Sequence, residues 1–322
     1  MQVPVYDILN CGPRHRFVAN GKLVHNSDKI NLQNLPSRGP NAKTLKKTIR
    51  APKGFVYIDC DSSQIEARML AWLSGQEELL HTFATGGDPY KGIAASIYGK
   101  PESEINGAER FIGKATRLGA GYGMGAIRFR EQVRTMGVAL SPEESQHIID
   151  VYRAESPEVT AYWKSSQHML KQMIRGVAFD GYGANNPWTV DAVDKAIVLP
   201  NGLKMRYRDL HWEESEDGGR EMIYMNRKEP VRIYGAKSVE NLCQALARIL
   251  VMEQMVLISK EFRTVLTVHD SVGSLVPERE LDDALDYVTQ CMRWTPGWAD
   301  GLPVDCEASY GPTYGDQVEW EG

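Results

Sequence analysis

The chain has 322 residues, of which 42% are hydrophobic and 25% charged, and its formal net charge is −5. These values are ordinary for a globular protein with a sizeable core, and the length suits about two domains. They exclude a disordered tail and a collagen. The sequence has no run of 18 apolar residues and no apolar leader, so we expect no membrane partner and a cytoplasmic location. Five scattered cysteines without C-x-x-C spacing argue against a disulfide framework and a structural zinc site.

The charge is unevenly distributed along the chain. Residues 1–60 carry ten lysines and arginines against three acidic residues, whereas residues 261–322 carry three against thirteen. A basic N-terminal segment can follow a phosphate backbone. A charged run is more often a solvated face, so this feature alone does not identify a nucleic-acid partner.

Short strands and turns open the chain. Two apolar runs flank Asn20-Gly21, which predicts a β-hairpin within residues 1–26. Residues 28–53 are polar and contain three prolines, so we expect irregular structure there. The apolar run 55–58 then predicts a buried strand that ends in Asp59-Cys60-Asp61.

Helices dominate the middle of the chain, and strands return near its end. Apolar spacing predicts a helix from Ser63 and mostly helical structure over residues 75–175, with a helix start at Ser141-Pro142. Short strands and turns are predicted over residues 196–235. A helix over 237–260 precedes a hairpin of strands 264–268 and 272–276, whose turn is His269-Asp270-Ser271. The pattern predicts an α+β fold with a helical insertion between its β parts.

Two aspartates lie where predicted strands end. Asp61 follows the first strand, and Asp270 lies in the turn of the last hairpin. Carboxylates that converge from strand ends suit hard cations such as Mg²⁺, and two metal ions about 4 Å apart can promote phosphoryl transfer. Aspartates are also common in ordinary turns, so the spacing alone leaves both interpretations open.

Four residues at a spacing of four suggest one face of a basic helix. Arg110 and Lys114 are followed by Leu118 and Tyr122. Two cations, an apolar residue and an aromatic ring suit a triphosphate, a sugar and a base. A solvated amphipathic helix would have the same pattern. The glycine-rich tail 119–125 lacks a phosphate-loop pattern and predicts a flexible helix end.

Four motifs resemble those of family-A DNA polymerases and occur in the family's order. Residues 61–68 are similar to the first palm motif, D-Y-S-Q-I-E-x-R. Residues 110–123 match the fingers motif, R-x3-K-x7-Y-G. Residues 268–270 resemble the start of the third motif, V-H-D-E, and residues 31–36 match N-L-Q-N-[IL]-P. Together these motifs extend the resemblance over residues 28–322.

The resemblance implies an α+β right-hand polymerase fold. A palm built on an antiparallel sheet would carry inserted helical fingers. The first palm part would span residues 27–84 and include the basic segment, the fingers would span 85–190, and the second palm part would span 191–322.

The resemblance also implies how the reacting groups are held. Asp61, Asp270 and the Ser62 carbonyl would hold two Mg²⁺ ions. Arg110 and Lys114 would grip the incoming triphosphate, and Lys114 would also protonate the pyrophosphate that leaves.

Further contacts to nucleotide and DNA follow from the same resemblance. Glu66 would lie beneath the sugar, where a 2′-hydroxyl would collide with it, and would thereby select dNTPs over rNTPs. The implied nucleotide contacts are Gln64, Glu66, Leu118 and Tyr122. The implied primer and template contacts are Gln33, Asn34, Arg68, Asn241, Gln244 and His269. The expected partners are therefore a DNA primer–template and dNTPs.

Three positions depart from the family motifs and leave alternatives open. Ser62 replaces a tyrosine, Leu118 replaces an aromatic residue, and Ser271 replaces a glutamate, so one outer carboxylate is missing. Leu118 and the H-D-S sequence also resemble single-subunit phage-type RNA polymerases, which are our second interpretation. A third is a catalytically inert DNA-binding replication subunit.

The first 26 residues resemble a different family, the C-terminal splicing region of inteins. Its chemistry needs the residue types present here: Ser27 would receive the upstream acyl group, and Asn26 would cyclise and cut the 26–27 bond. His25 would donate a proton in that step, and Asp7 and His15 would assist the earlier ones.

The position of this segment suggests splicing in trans. The chain starts at Met1, so we expect half of a split intein and a separate N-terminal half as partner. A family-A polymerase would have a thumb before residues 31–36, and we expect the partner to supply it. The predicted product is a DNA polymerase, with a phage as the expected source.

Overall fold

The computed structural model describes residues 16–19, 22–25, 42–179, 181–215, 218–227 and 229–321. The strands are β1 (Arg16–Ala19), β2 (Lys22–His25), β3 (Phe55–Ser62), β4 (Thr189–Asp191), β5 (Ala196–Val198), β6 (Lys204–Arg206), β7 (His211–Glu214), β8 (Arg220–Asn226), β9 (Glu229–Ile233), β10 (Arg263–Val268), β11 (Ser271–Pro277), β12 (Cys306–Thr313) and β13 (Asp316–Glu319). The helices are α1 (Ala42–Lys46), α2 (Ile65–Ser74), α3 (Glu77–Ala84), α4 (Pro89–Tyr98), α5 (Gly107–Ala120), α6 (Ala126–Thr135), α7 (Pro142–Glu155), α8 (Pro157–Arg175), α9 (Gly235–Ile258) and α10 (Leu281–Arg293).

A five-stranded antiparallel sheet in the order β10-β11-β3-β12-β13 forms the centre of the molecule. Its middle strand, β3, has two unlike faces because successive side chains of a strand point to opposite sides. Ile58 and Cys60 are buried against α9 and α10, whereas Asp59 and Asp61 lie on the other face. The sheet therefore has an apolar face that anchors it and a polar face that is free for chemistry.

Helix α9 is the central element of the largest hydrophobic core. It packs with α2 and α8 and with the two small three-stranded sheets, β4-β5-β6 and β7-β8-β9. By length and apolar composition α9 could cross a membrane, but a buried core helix has the same composition, and half of the apolar stretch of α9 is buried in the protein.

Helices α4 to α7 form a separate helical layer with its own core. Ile112 of α5 packs with Phe129 of α6 and with Ile149 and Tyr152 of α7. The predicted helix start at Ser141 is confirmed, because its hydroxyl accepts a hydrogen bond from the Glu144 amide while the Glu144 side chain accepts one from the Ser141 amide. The boundaries predicted for palm and fingers stay predictions.

The predicted α+β fold class with an antiparallel sheet is confirmed, but three local predictions are wrong. Residues 28–53 are not wholly irregular, because helix α1 lies within them. Strand β3 runs to Ser62, so Asp61 lies within the strand instead of after it. Helix α5 ends at Ala120, so Tyr122 does not continue the face of Arg110. Residues 121–123 form a turn after the helix, and Gly123 at its end has φ +78°, a left-handed conformation.

The predicted N-terminal hairpin is present where the backbone is described. Strands β1 and β2 pair antiparallel from Ala19 opposite Lys22 to Arg16 opposite His25. The other predicted splicing residues and two predicted DNA contacts lie outside the described residues: Asp7, His15, Asn26, Ser27, Gln33 and Asn34.

The described cysteines are free thiols. Cys60, Cys243, Cys291 and Cys306 are all buried and none forms a disulfide. They behave as small apolar core residues.

Candidate active site

The two predicted aspartates meet at one end of the central sheet. Asp61 of β3 pairs in register with Ser271, the first residue of β11, and Asp270 precedes Ser271 in the turn from β10. The Ser62 amide donates a hydrogen bond of 3.1 Å to the Asp270 carbonyl and fastens this turn to β3. His269 adopts φ +55°, the left-handed conformation that tight hairpin turns require.

The charges of Asp61 and Asp270 are not compensated by neighbouring cations. Burial, followed by the nearby charges of Asp270 and Asp59, raises the pKa of Asp61 to about 7. Within the described part of the chain, no lysine, arginine or histidine forms an ion pair with Asp61 or Asp270. Closely spaced carboxylate oxygens with excess negative charge are the donor set that Mg²⁺ prefers, so these residues fit the cation that the motifs imply.

Two further carboxylates on the same face were missed by the sequence reasoning. Glu307 of β12 lies opposite Asp61 in the sheet register. The Asp59 Oδ1 accepts hydrogen bonds from the Tyr57 hydroxyl at 3.1 Å and the Ser271 hydroxyl at 3.4 Å. Burial raises the pKa of Asp59 to about 6, although these two hydrogen bonds oppose the rise. Asp59 could have been found from the sequence, because the D-x-D spacing on a predicted strand puts it on the same face as Asp61. No sequence pattern indicates Glu307.

A cavity of about 580 Å³ beside Asp270 collects residues from three separate parts of the chain. Six of the predicted site residues line it: Gln64, Glu66, Leu118, Gln244, His269 and Asp270. Gln64 has φ +52° just before α2, and Leu118 is exposed on α5. The fold therefore brings together residues that are more than 200 positions apart in the sequence.

Arg248 is a cavity residue that the sequence analysis did not identify. It lies one turn after Gln244 on α9. Its guanidinium donates to the His269 carbonyl at 3.2 Å and to the Thr267 hydroxyl at 3.4 Å. Arg248 therefore ties the turn that carries Asp270 to helix α9. No motif in the sequence pointed to it, because the contact joins residues of different elements.

Glu66 lies in the cavity wall in a negatively charged setting. Burial, with the charges of Asp270 and Glu240, raises the pKa of Glu66, and a hydrogen bond with Gln244 opposes the rise. The Tyr122 hydroxyl donates to the Glu66 carbonyl at 3.4 Å. Tyr122 thus supports the segment that carries Glu66, although it lies beyond the end of α5.

Arg110 and Lys114 are not among the residues that line the cavity. Arg110 forms an ion pair of 2.6 Å with Asp88, the N-cap residue of α4. The cations of Arg110 and Lys114 lie 5.3 and 5.6 Å from the centroid of the Tyr90 ring. In this structure both predicted triphosphate ligands are thus engaged with α4.

Other predicted contacts point into the protein. Arg68 is buried, and its guanidinium donates to the carbonyls of Ser63 at 2.8 Å and Pro303 at 3.1 Å. Its predicted DNA contact therefore gains no support from the structure. Asn241 is half-buried near the Tyr207 hydroxyl. Ser62 is almost fully buried in β3.

Comparisons with known proteins agree on one family. The family model described as "DNA polymerase family A" matches residues 15–177. The DNA polymerase of Bacillus phage SP02 is 29% identical over 266 residues, which cover 79% of this chain and 40% of that protein. DNA polymerase I of Pseudomonas aeruginosa is 33% identical over 153 residues, 48% of this chain and 16% of that protein. The thermostable DNA polymerase I of Thermus aquaticus is 34% identical over 144 residues, with 45% and 16% coverage.

A solved structure extends the likeness to the fold. The POL domain of Pol1 from M. smegmatis, solved in complex with DNA primer-template and dNTP, superposes with a TM-score of 0.65 at 20% identity. The match covers 88% of this chain and 44% of that one. The chain thus spans less than half the length of each of these proteins.

Proposed function

The chain belongs to DNA polymerase family A, and we propose that it carries the polymerase active site, which transfers deoxynucleotides to the 3′ end of a primer on a DNA template. The observation that carries the proposal is the cavity where Glu66, Leu118 and His269 meet Asp270. These residues come from three separate motifs of the resemblance. An inert DNA-binding subunit would have no need to keep both Asp61 and Asp270.

Asp61, Asp270 and the Ser62 carbonyl would hold Mg²⁺, which supplies positive charge to the reacting phosphoryl group when bound. The chain's own contribution is to keep these oxygens in place. The Ser62 amide holds the Asp270 carbonyl, and Arg248 holds the adjacent His269 carbonyl. The turn is therefore fixed from the sheet side and from α9, which limits the rearrangement needed on substrate binding.

Helix α5 would bind the triphosphate through Arg110 and Lys114. Arg110 offers a planar fork for phosphate oxygens, and Lys114 offers a point charge. Because Arg110 is paired with Asp88 through its Nε, a phosphate would compete with that carboxylate for the guanidinium. The ion pair is partly exposed to solvent, so the exchange costs little.

Glu66 would select the sugar. It shares the cavity with Leu118 of α5 and Gln244 of α9. A 2′-hydroxyl would collide with a carboxylate in this wall, which favours dNTPs. This property separates a DNA polymerase from the alternative of a phage-type RNA polymerase.

Primer extension with dNTPs and, separately, with rNTPs tests this proposal. The enzyme is the ligated product obtained by co-expressing the chain with its N-terminal half. We expect extension with dNTPs only, and relaxed sugar selection in Glu66→Ala. Glu253→Ala is a control, since Glu253 lies on α9 and contacts Trp298 outside the cavity. Extension with rNTPs by the unmodified enzyme would favour the RNA polymerase, and no extension with either would favour a DNA-binding subunit.

We also propose that residues 1–26 are an intein fragment that is removed when Ser27 is joined to an N-terminal half supplied in trans. The pairing of β1 with β2, which ends at His25, one residue before the predicted junction between Asn26 and Ser27, supports this proposal. Asn26 would release the fragment by cyclising on its own carbonyl carbon.

Intact-mass measurement after co-expression with the N-terminal half tests the splicing proposal. The ligated product should begin its C-terminal part at Ser27. Asn26→Ala should prevent release of residues 1–26, whereas Asn31→Ala, a matched asparagine beyond the junction, should not. Release at the normal yield from Asn26→Ala would contradict the proposal.

A further inference from the structure

The polar face of the central sheet carries an aspartate that no motif explains. Tyr57, Asp59 and Asp61 alternate along β3 and therefore share one face. Opposite them on β11 lie Ser271, in register with Asp61, and Gly273, in register with Asp59. At about 3.3 Å per residue, Asp59 and Asp61 are roughly 7 Å apart along the strand.

Ser271 occupies the position where the family's third motif carries a glutamate. Its hydroxyl cannot supply the charge of that carboxylate. It instead points toward the neighbouring strand and donates to the Asp59 Oδ1 at 3.4 Å as well as to the Val268 carbonyl at 3.1 Å. Strand β11 thus has no carboxylate at position 271, but the Asp59 carboxylate of β3 contacts the Ser271 side chain at that position.

Asp59 is held in place by an arrangement built around Tyr57. The Tyr57 hydroxyl donates to Asp59 at 3.1 Å, and the buried ring packs edge-on against Tyr314 with centroids 5.6 Å apart. The ring fits only because residue 273 is glycine: a Cβ there would lie 2.1 Å from the Tyr57 hydroxyl oxygen. The packing of Tyr57 against Tyr314 and Gly273 therefore fixes the hydroxyl that holds the Asp59 carboxylate.

We propose that Asp59 is the outer carboxylate of the cation site, supplied from β3 in place of the glutamate that the family carries at position 271. No group of three acidic, histidine or cysteine side chains among the described residues is arranged around a single metal position. Asp59 is therefore a positioning residue. It strengthens divalent-cation binding at Asp61 and Asp270 by its charge and through the Ser271 hydroxyl, as outer-shell groups do. This inference rests on the proposed function.

Mn²⁺ binding to the full chain, followed by electron paramagnetic resonance without DNA or nucleotide, tests the inference. Asp59→Asn keeps the shape of the side chain and removes its charge. We expect it to raise the Kd for Mn²⁺ about 10- to 100-fold, the usual effect of losing an outer-shell partner. Asp282→Asn is the matched control: this exposed aspartate lies in the first turn of α10, and α10 covers the opposite, apolar face of the sheet.

Two more variants make the result specific. The double variant Asp59→Asn/Ser271→Glu returns a carboxylate to the site from the family's usual strand and should bring the Kd back toward the starting value. Tyr57→Phe keeps every charge but releases Asp59, and should raise the Kd less than Asp59→Asn does. If thermal melting in EDTA shows that Asp59→Asn does not fold, Tyr57→Phe takes its place as the test variant.

Asp61→Asn separates failure of the inference from failure of the proposed function. An unchanged Kd in Asp59→Asn together with weakened binding in Asp61→Asn would overturn the inference alone. An unchanged Kd in both would overturn the assignment of the cation site. A double variant that binds as weakly as Asp59→Asn would also contradict the role of position 271.

Discussion

The central sheet and helix α5 present their predicted ligands in different ways. On the sheet, hydrogen bonds from Ser62 and Arg248 hold the turn of Asp270 beside Asp61, and neither carboxylate has a cationic partner among the described residues. On α5, Arg110 already has a partner in Asp88. The carboxylates of the sheet are thus held in place by hydrogen bonds to the backbone around them, whereas on α5 a phosphate must compete with Asp88 for Arg110. Substitutions on the sheet side of the site should therefore have large effects, and substitutions on the α5 side should have small ones.

Among changes in stability and affinity, we expect the largest at Gly273→Ala. The new methyl group would lie 2.1 Å from the Tyr57 hydroxyl oxygen, and the buried Tyr57 ring cannot move away freely. Overpacking of this kind costs about 1–3 kcal/mol. Urea unfolding of the variant measures the loss. Gly297→Ala is the control, since a Cβ there meets nothing within 4 Å. Equal stability of the two variants would show that the polar face is looser than described.

The protonation of Asp61 should make stability depend on pH when divalent cations are removed. Because its pKa is raised to about 7 in the folded protein, the folded state holds the proton more tightly than the unfolded state. The stabilisation by protonated Asp61 is complete below the unfolded pKa of about 4 and is lost as pH rises through about 7. Asp61→Asn should therefore stabilise the protein more at about pH 8 than at about pH 5.

Urea unfolding in EDTA at both pH values measures this difference. The comparison of the chain with its own variant cancels the titration of most other groups. A stability gain from Asp61→Asn that is equal at the two pH values, or larger at the acidic one, would show that Asp61 is not the group held in its protonated form.

The smallest effect is expected on the α5 side, from Asp88→Asn. Asparagine can still cap α4, but it no longer competes for Arg110. An exposed ion pair is worth about 0.2–1 kcal/mol, so the KM for dNTPs should fall about 1.4- to 5-fold. Glu109→Gln is the control. Glu109 lies on α5 beside Arg110, and its replacement removes an ion pair with Lys100 but preserves the capping box. A KM that stays constant or rises in Asp88→Asn would contradict the exchange of partners.

Local features of the sequence predicted much of this fold. The apolar run before Asp61, the cap at Ser141 and the apolar runs that pair as β1 and β2 each depend on neighbouring residues, and the structure agrees with them. The motifs of the resemblance also anticipated most of the residues around the cavity, including His269 and Glu66.

Features that depend on distant strands or helices could not be predicted in the same way. The pairing of Arg110 with Asp88 joins positions 22 residues apart, and burial of Arg68 depends on the carbonyl of Pro303. The contact between Asp59 and Ser271 requires the register of β3 and β11. Spacing of four also placed Tyr122 on α5, because spacing alone does not reveal that the helix ends at Ala120.

Single-nucleotide incorporation by the ligated enzyme tests the central claim that Asp61 and Asp270 form one catalytic site. We predict that Asp61→Asn and Asp270→Asn each slow incorporation by at least about 100-fold, the scale seen when a group that stabilises the transition state is removed. Asp282→Asn, on the opposite side of the sheet, should leave the rate within about twofold, as surface substitutions usually do. Full incorporation by either Asp61→Asn or Asp270→Asn, with folding intact, would contradict the account.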